Sequence, residues 1–408
     1  MNILILTSLF FPEIAANSIR MTALAEKLSA DEMDVTVVTA FPYYSDSTNP
    51  KHKNRFAIKE RHNGVDVVRT YTFISKEKTI YKRLLTFLSY MLSSAAYTLF
   101  KRKKFDVVLS ISPPFFTLIT AFFVCRIRRI PFVIDIQDLY PDTAVELGKL
   151  KNRYLIKIWR VLEVMIYKSA AAIVVISKGF KEEIVKKGIP SDKIFVVNTW
   201  VNTRKFDPDK ISNQKKALGL EDSFVVLFLG TLGYAQGAEN IIEAAALLCE
   251  YERIKFLFVG DGVGKNKLIE KASDMELGNV LFLPPKPFQE VPSYINSADI
   301  CLVHLVKRDF YRTIIPSKTY EYMSMGKAII MVVQGEAESL VRDNNCGIAV
   351  EPENPQALKR AILKLYENPE EAEELGRNSR LAALKYSDKV LMSKYKEIIY
   401  QVSKEEVC

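Results

Sequence analysis

The chain is poor in the residues that would staple it or hold a metal. Its five cysteines (Cys125, Cys249, Cys301, Cys346 and Cys408) are scattered, with no CxxC pair and no histidine at ligand spacing. That excludes a disulfide framework and a structural zinc, and fits a reducing compartment. The three histidines, His52, His62 and His304, sit in no motif and read as surface or packing residues. No Asp-x-Asp pair is placed to hold a divalent ion. There is no low-complexity tract, no repeat at a solenoid period and no composition typical of disorder. The N-terminus, Met1-Asn-Ile-Leu-Ile-Leu, lacks a basic segment and a cleavage site, so it reads as a first strand and not as an export signal. A cytoplasmic protein is expected.

What is there is globular. A chain of 408 residues, 49% hydrophobic and 26% charged, is too long for one ordinary core and implies two domains. The net charge of +9 is modest, but its distribution is not even. From Lys76 to Lys104, eight Lys/Arg stand against one acid, Glu77, and they flank the uncharged run Leu84–Phe100 of 17 residues. A spanning helix needs about 20 apolar residues, and this run holds several Ser, Thr and Tyr. A buried helix with solvated ends is one reading. A surface helix resting on anionic lipid, on the inner face of the cell membrane, is the other.

Short apolar runs alternate with helical patterns throughout, which implies an α/β class with doubly wound parallel sheets. Strands are expected at Ile3–Thr7, Val35–Thr39, Val107–Ser110, Phe132–Ile136, Ala172–Ile176 and Ile194–Val197. In the second half they are expected at Val225–Leu229, Lys255–Val259, Val280–Leu283, Ile300–Leu305 and Ala328–Val333. Helices are expected at Ser18–Ala30 and Ala238–Glu250, and near the end at Leu358–Glu367 and Glu370–Tyr386. The polar stretch Asn202–Ser223 reads as a linker, dividing a first domain (1–203) from a second (204–387). A last helix over 388–408 has no strand to cover and is expected to pack back on the first domain.

Three motifs in the second half carry chemistry. Gly230-Thr231-Leu-Gly233-Tyr-Ala-Gln236-Gly237 lies between a strand and a helix, where a tight turn exposes N–H groups to an anion. Its spacing is not that of dinucleotide binding. Gly260-Asp261-Gly262 ends another strand and reads as a plain turn or a ligand contact. Pro316-Ser317-Lys318-Thr-Tyr-Glu321 suits a helix start, with proline in the first turn. Lys318 there is unfavourable in an empty site, and an anion such as a diphosphate would reverse that. Glu321 follows at helical spacing, where a carboxylate can accept two ribose hydroxyls. An ordinary surface Lys–Glu pair is the bland alternative. In the first half, Asp135-Ile-Gln-Asp138-Leu-Tyr-Pro-Asp142 puts three carboxylates at a strand's carboxyl end, and Glu13 follows the first strand.

The ordered set of these motifs, with Ser297-Ala298-Asp299-Ile300, Phe10-Phe11-Pro12-Glu13 and Glu321-Tyr-Met-x-x-Gly326-Lys327, resembles glycosyltransferase family 4 over essentially the whole chain. Bacterial O-antigen and capsule enzymes, including N-acetyl-L-fucosamine transferases, look closest. The resemblance implies a GT-B fold, with two Rossmann-like domains facing across a cleft. It implies that Glu321 binds the nucleotide ribose, that Ser317 and Lys318 lie at the donor diphosphate opposite the Gly230–Gly237 loop, and that the base sits near Lys286 and Pro287. Asp138 matches a position near the reacting sugar, where it would steer the acceptor hydroxyl or stabilise positive charge at the donor's anomeric carbon; a loop-capping aspartate is the alternative. Glu13 is a second catalytic candidate near the acceptor. Many members carry Arg and Lys in the first loop, where this chain has Thr231 and Gln236, and a second glutamate where it has Thr313. Neutralisation then falls to Lys318 and helix dipoles, with Lys307, Arg308 or Arg312 as further candidates.

The expected activity is transfer of a sugar, on UDP and N-acetylated, to a membrane-lipid-linked glycan, with retention and without metal or other cofactor. No nucleic-acid partner is expected. The rivals are a nucleotide-sugar 2-epimerase of the same architecture and an exported two-lobed sugar-binding protein.

Overall fold

The computed structural model describes residues 1–13, 15–43, 55–75, 77, 79–101, 103–146, 148 and 150–404. His52, Lys76, Lys78, Arg102 and the last residues of the final segment, Cys408 among them, lie outside these. The chain forms two units, Met1–Val197 with Met392–Cys408, and Asn198–Leu391.

Among the described residues the first unit is built on eight strands: β1 (Asn2–Leu6), β2 (Asp34–Ala40), β3 (Ala57–His62), β4 (Val65–Thr70), β5 (Val107–Ser112), β6 (Phe132–Ile136), β7 (Ala172–Val175) and β8 (Ile194–Val196). Their order is β3-β4-β2-β1-β5-β6-β7-β8, and only the β3–β4 pair is antiparallel. The central strands are covered on both faces, so they read as continuous apolar runs and were legible as such. The β3–β4 hairpin was not. Lys59, Glu60 and Arg61 are exposed on the edge strand, which hides its periodicity. Its signal is the turn itself, Asn63-Gly64, where both residues take positive φ (45° and 86°), the geometry a two-residue hairpin requires.

The second unit is a sheet of β9 (Phe224–Leu229), β10 (Ile254–Val259), β11 (Val280–Leu283), β12 (Ile300–His304), β13 (Ala328–Val332) and β14 (Gly347–Ala349). The order is β11-β10-β9-β12-β13-β14, all parallel. This is the Rossmann order, with its reversal between β9 and β12. The three-residue β14 escaped the sequence reading. Gly347 lets it approach, since a Cβ there would lie 1.9 Å from the Ile329 carbonyl oxygen. One core lies on each face of the sheet, one including Leu227, Leu257 and Tyr322, the other Phe228, Phe258 and Ile330.

Segment Asn202–Ser223 is no loose tether, for Phe206 and Leu220 are buried in the second unit's core. The final helix, Asp388–Lys404, returns the chain to the first unit. There the Tyr395 hydroxyl donates to Asp135 at 3.0 Å, and Lys396 pairs with Asp31 at 2.8 Å. The helix expected over Ala238–Glu250 is α-helical only to Ala246. The uncharged run 84–100 lies in a single helix, Ile80–Phe100.

Candidate active site

Ligands of open α/β sheets bind outside the carboxyl ends of the strands where the order reverses. In the second unit that point lies between β9 and β12. The chain leaves β9 into Gly230–Gly237. Gly230 (φ 122°) donates to the Val259 carbonyl at 2.9 Å, and Leu232 donates to the Asp261 carbonyl at 2.8 Å. The loop after β10 is therefore fastened backbone to backbone under the loop after β9. Gly260 has to be glycine: its φ is 155°, and a Cβ there would sit 1.9 Å from the Gly230 oxygen. Asp261 spends a carboxylate oxygen on the Gly262 amide (2.8 Å), so the Gly260–Gly262 turn buttresses the first loop. Within that loop the Gln236 side-chain oxygen accepts from the Gly233 amide at 3.1 Å, whereas Thr231 is exposed.

The helix expected from Pro316 begins two residues later. Pro316 and Ser317 form a turn, their carbonyls accepting from Thr319 (2.9 Å) and Tyr320 (3.1 Å), and the helix proper is Lys318–Ser324. Two turns of helix carry little aligned dipole, so Lys318 itself is the principal positive group here. Its ammonium lies 4.0 Å from the centre of the Phe228 ring. A Cβ on Gly230 would come within 3.3 Å of it, so the bare glycine is what leaves room for the cation. Lys318 forms no ion pair among the described residues.

Glu321 is electrostatically coupled to Lys318 and to Lys205. Burial pushes the Glu321 carboxyl up to about 7 against the pull of the two lysines. Burial likewise pushes Lys318 down to about 8, with Glu321 opposing. Both residues keep some accessible surface, which screens part of this effect. Lys205 was not foreseen. It lies 3.5 Å from the centre of the Phe288 ring, joining the start of the second unit to the loop after β11. That loop holds Lys286, 5.2 Å from the Tyr294 ring centre, and the exposed Pro287.

His304, which lies in no motif and is expected as a surface or packing residue, is buried, and at the last position of β12 it lies under the Gly-rich loop. Its Nε2 is 3.3 Å from the Asn240 side-chain oxygen, and a Cβ on Gly237 would strike its ring at 2.9 Å. Burial, with Lys318 acting in the same direction, lowers its pKa to about 4, so the ring is neutral at neutral pH. A polar residue ending a buried strand at the reversal point was the available signal. Of the three basic residues beyond β12, Lys307 is paired with Glu351 at 2.8 Å, while Arg308 and Arg312 are exposed. The Thr313 hydroxyl donates to the Phe310 carbonyl at 2.9 Å.

In the first unit the three carboxylates after β6 have different surroundings. Asp135 is fully buried, bonded to Arg20 at 3.0 Å and to Tyr395. Asp142 pairs with Arg160 (2.9 Å) and Lys187 (2.7 Å), which hold its carboxyl below the usual range against the cost of burial. Asp138 is half-buried and accepts from the Thr143 hydroxyl across the start of the helix Asp142–Glu146. Glu13 is buried, and its carboxylate accepts from the Tyr43 amide at 2.6 Å, tying the loop after β1 to that after β2. No group of three His, Cys, Asp or Glu side chains converges as a metal site among the described residues.

Comparison with known proteins gives this arrangement its family. The family model for glycosyl transferases group 1 matches residues 210–382, and that for the glycosyl transferase 4-like domain matches 18–200. WcaI of Escherichia coli (strain K12), provisionally named a colanic acid biosynthesis glycosyl transferase, is 27% identical over 376 residues, 89% of this chain and 91% of WcaI. Anabaena HepE, solved in complex with UDP, superposes with a TM-score of 0.74 at 17% identity, covering 98% of this chain and all of that one (100%). WaaG, a glycosyltransferase involved in lipopolysaccharide biosynthesis, superposes at 0.69 with 15% identity, over 97% and 99% of the two chains. With one model on each Rossmann-like unit and the fold shared end to end, the chain belongs to the GT-B glycosyltransferases, pairing a 4-like first domain with a group 1 second domain.

Proposed function

We propose that this glycosyltransferase takes an N-acetylated amino sugar from UDP and adds it to a hydroxyl of a membrane-lipid-linked glycan in surface polysaccharide synthesis, working peripherally at the inner face of the cell membrane. One observation carries the donor half: an ammonium without an ion pair, Lys318, held on the Phe228 ring beneath the glycine at the head of a Gly-rich loop. Such a group suits a diphosphate. The UDP complex of HepE favours a uridine nucleotide, and the names of WcaI and WaaG favour a surface glycan as acceptor.

The diphosphate would lie over Gly230–Gly237, with Ser317 beside it, the ribose hydroxyls on Glu321 and the base against Lys286 and Pro287. As the bond from the sugar's C1 to the phosphate oxygen breaks, negative charge grows on that oxygen. Lys318, with those loop N–H groups not already bonded within the protein, stabilises this charge where a divalent ion otherwise would. The acceptor oxygen bonds to C1 with retention, and its proton passes to the departing diphosphate. Asp138 steers the acceptor or steadies positive charge at C1, and Glu13, engaged with Tyr43, shapes the neighbouring loop.

The test follows nucleoside diphosphate release from UDP-, GDP- and dTDP-sugars, with and without a membrane extract bearing lipid-linked glycans. Acceptor-dependent release from a UDP-N-acetyl sugar, lowered about a hundredfold in Lys318→Ala, is the expected result. An isomerised sugar nucleotide without release would overturn the proposal.

A further inference from the structure

The first unit has a second surface, outside the strand-end loops. Three of its helices, Ile80–Phe100, Phe115–Arg128 and Arg153–Ser169, pack side by side, with Phe116 stacking on Phe87 (5.9 Å between ring centres) and meeting Trp159 edge-on (5.4 Å). Their one carboxylate is Glu163, which is fully buried and paired with Lys187 at 2.5 Å. Against it stand Lys82, Arg83, Arg126, Arg128, Arg153, Lys157, Arg160 and Lys168, of which Lys82 pairs with Glu77 (2.6 Å) and Arg160 with Asp142 (2.9 Å).

The first of these helices is turned inside out. Its hydroxyl side chains Thr86, Tyr90, Ser93, Ser94 and Thr98 are buried, several bonding back to carbonyls of their own helix, while Leu84, Leu85, Leu92 and Phe100 are exposed. Leu92 is 65% and Phe100 86% accessible. The third helix repeats the pattern, exposing Leu155, Ile158, Val161 and Met165 at helical spacing, and the second exposes Phe123 and Ile127. Water selects the opposite arrangement, and an apolar surface of this extent marks a contact. No helix among the described residues is long and apolar enough to cross a membrane.

We infer that this three-helix face seats the enzyme on an anionic lipid bilayer, with Leu92, Phe123, Ile158 and Val161 in the interfacial layer and the basic residues among the head groups. Charge decides the occupant. A second copy docked about a twofold axis would set like cations against like, whereas phosphate head groups complement them. The inference rests on the lipid-linked acceptor proposed above and gives it a geometry. The Asp138 loop is fastened to the third helix by Asp142–Arg160 at 2.9 Å and by the Tyr140 ring, edge-on to Trp159 at 5.5 Å. An acceptor anchored in the same bilayer would meet that loop without leaving the membrane.

Co-sedimentation of the full chain with vesicles tests this, using phosphatidylglycerol mixed with phosphatidylcholine against phosphatidylcholine alone. Wild type should pellet with the anionic vesicles and be released by salt. Ile158→Glu/Val161→Glu and, separately, Lys157→Glu should partition roughly tenfold more weakly or worse, with far-UV circular dichroism and UDP affinity unchanged. Equal partition of the folded variants would overturn the inference. So would wild-type dimers that become monomers in the variants, with no vesicle binding by either. If vesicle binding holds while no donor sugar is ever transferred, the transfer proposal fails and the docking face stands.

Discussion

The Lys318 ammonium rests 4.0 Å from the centre of the Phe228 ring, directly under the space where any side chain on Gly230 would project. The aromatic face supplies partial negative charge without neutralising the cation. The ammonium is thus held in place while its charge stays available to a ligand. Gly230→Ala should disturb this at two levels, through a φ of 122° that L residues avoid and through a methyl 3.3 Å from Nζ. A stability loss of about 1–3 kcal/mol is expected in urea denaturation, with weaker UDP binding by calorimetry.

Nucleotide binding should depend on pH in both directions. It needs Glu321 ionised to accept the ribose hydroxyls and Lys318 protonated to face the diphosphate. With the carboxyl raised to about 7 and the ammonium lowered to about 8, affinity should climb as pH rises through 7 and fall as it passes 8. UDP-N-acetylglucosamine is the suitable probe, because its diphosphate diester does not titrate in this range. Glu321→Gln should abolish the acidic limb and keep the alkaline one. A flat profile in wild type would remove both residues from the donor site.

Glu321→Ala should weaken the same nucleotide by about 1.5–3 kcal/mol, the scale of hydrogen bonds to a charged group. Calorimetry reads it directly, and an unchanged affinity would contradict the ribose assignment.

Gly237 and His304 are sterically coupled. Gly237 has φ 58°, and an added Cβ would fall 2.9 Å from the imidazole. Gly237→Ala should therefore cost about 2–3 kcal/mol, part backbone strain and part overlap. Adding His304→Ala should remove the overlap with the ring, leaving the 3.1 Å approach to Val306 and the backbone strain, and giving a favourable coupling of about 1 kcal/mol in a double-mutant cycle. Strict additivity would mean the loop moves away from the ring.

The carboxylates after β6 should separate by phenotype. Asp135→Asn leaves Arg20 buried beside a neutral partner and should cost about 3–5 kcal/mol of stability. Asp138→Asn weakens the hydrogen bond from the Thr143 hydroxyl, worth about 1 kcal/mol, and should lose transfer while nucleotide affinity stays constant. Denaturation together with a transfer assay distinguishes the two.

The strands of both units were legible because parallel strands buried on two faces become unbroken apolar runs, as in Val225–Leu229 and Phe132–Ile136. The hairpin β3–β4 and the short β14 were not, since an exposed edge and a three-residue pairing leave no such run. Asn63-Gly64 was the overlooked sign. In the candidate site, Lys318, Glu321 and the glycines could be singled out from their spacing together with the family resemblance. Lys205 and His304 could not, because what matters about them is proximity to residues far away in sequence.

Sequence alone thus determined the class of architecture, the alternation of strand and helix in each half and the local turns that free N–H groups, for these depend on near neighbours and burial periodicity. Only the tertiary structure decided which charges are already spent. Asp135, Asp142 and Lys307 are consumed by distant partners, Lys318 forms no ion pair among the described residues, and Leu84, Leu85 and Leu92 of the helix Ile80–Phe100 are exposed. The reason is physical: an ion pair or an exposed face is a property of the space around a side chain, and that space is assembled from segments the local sequence does not contain.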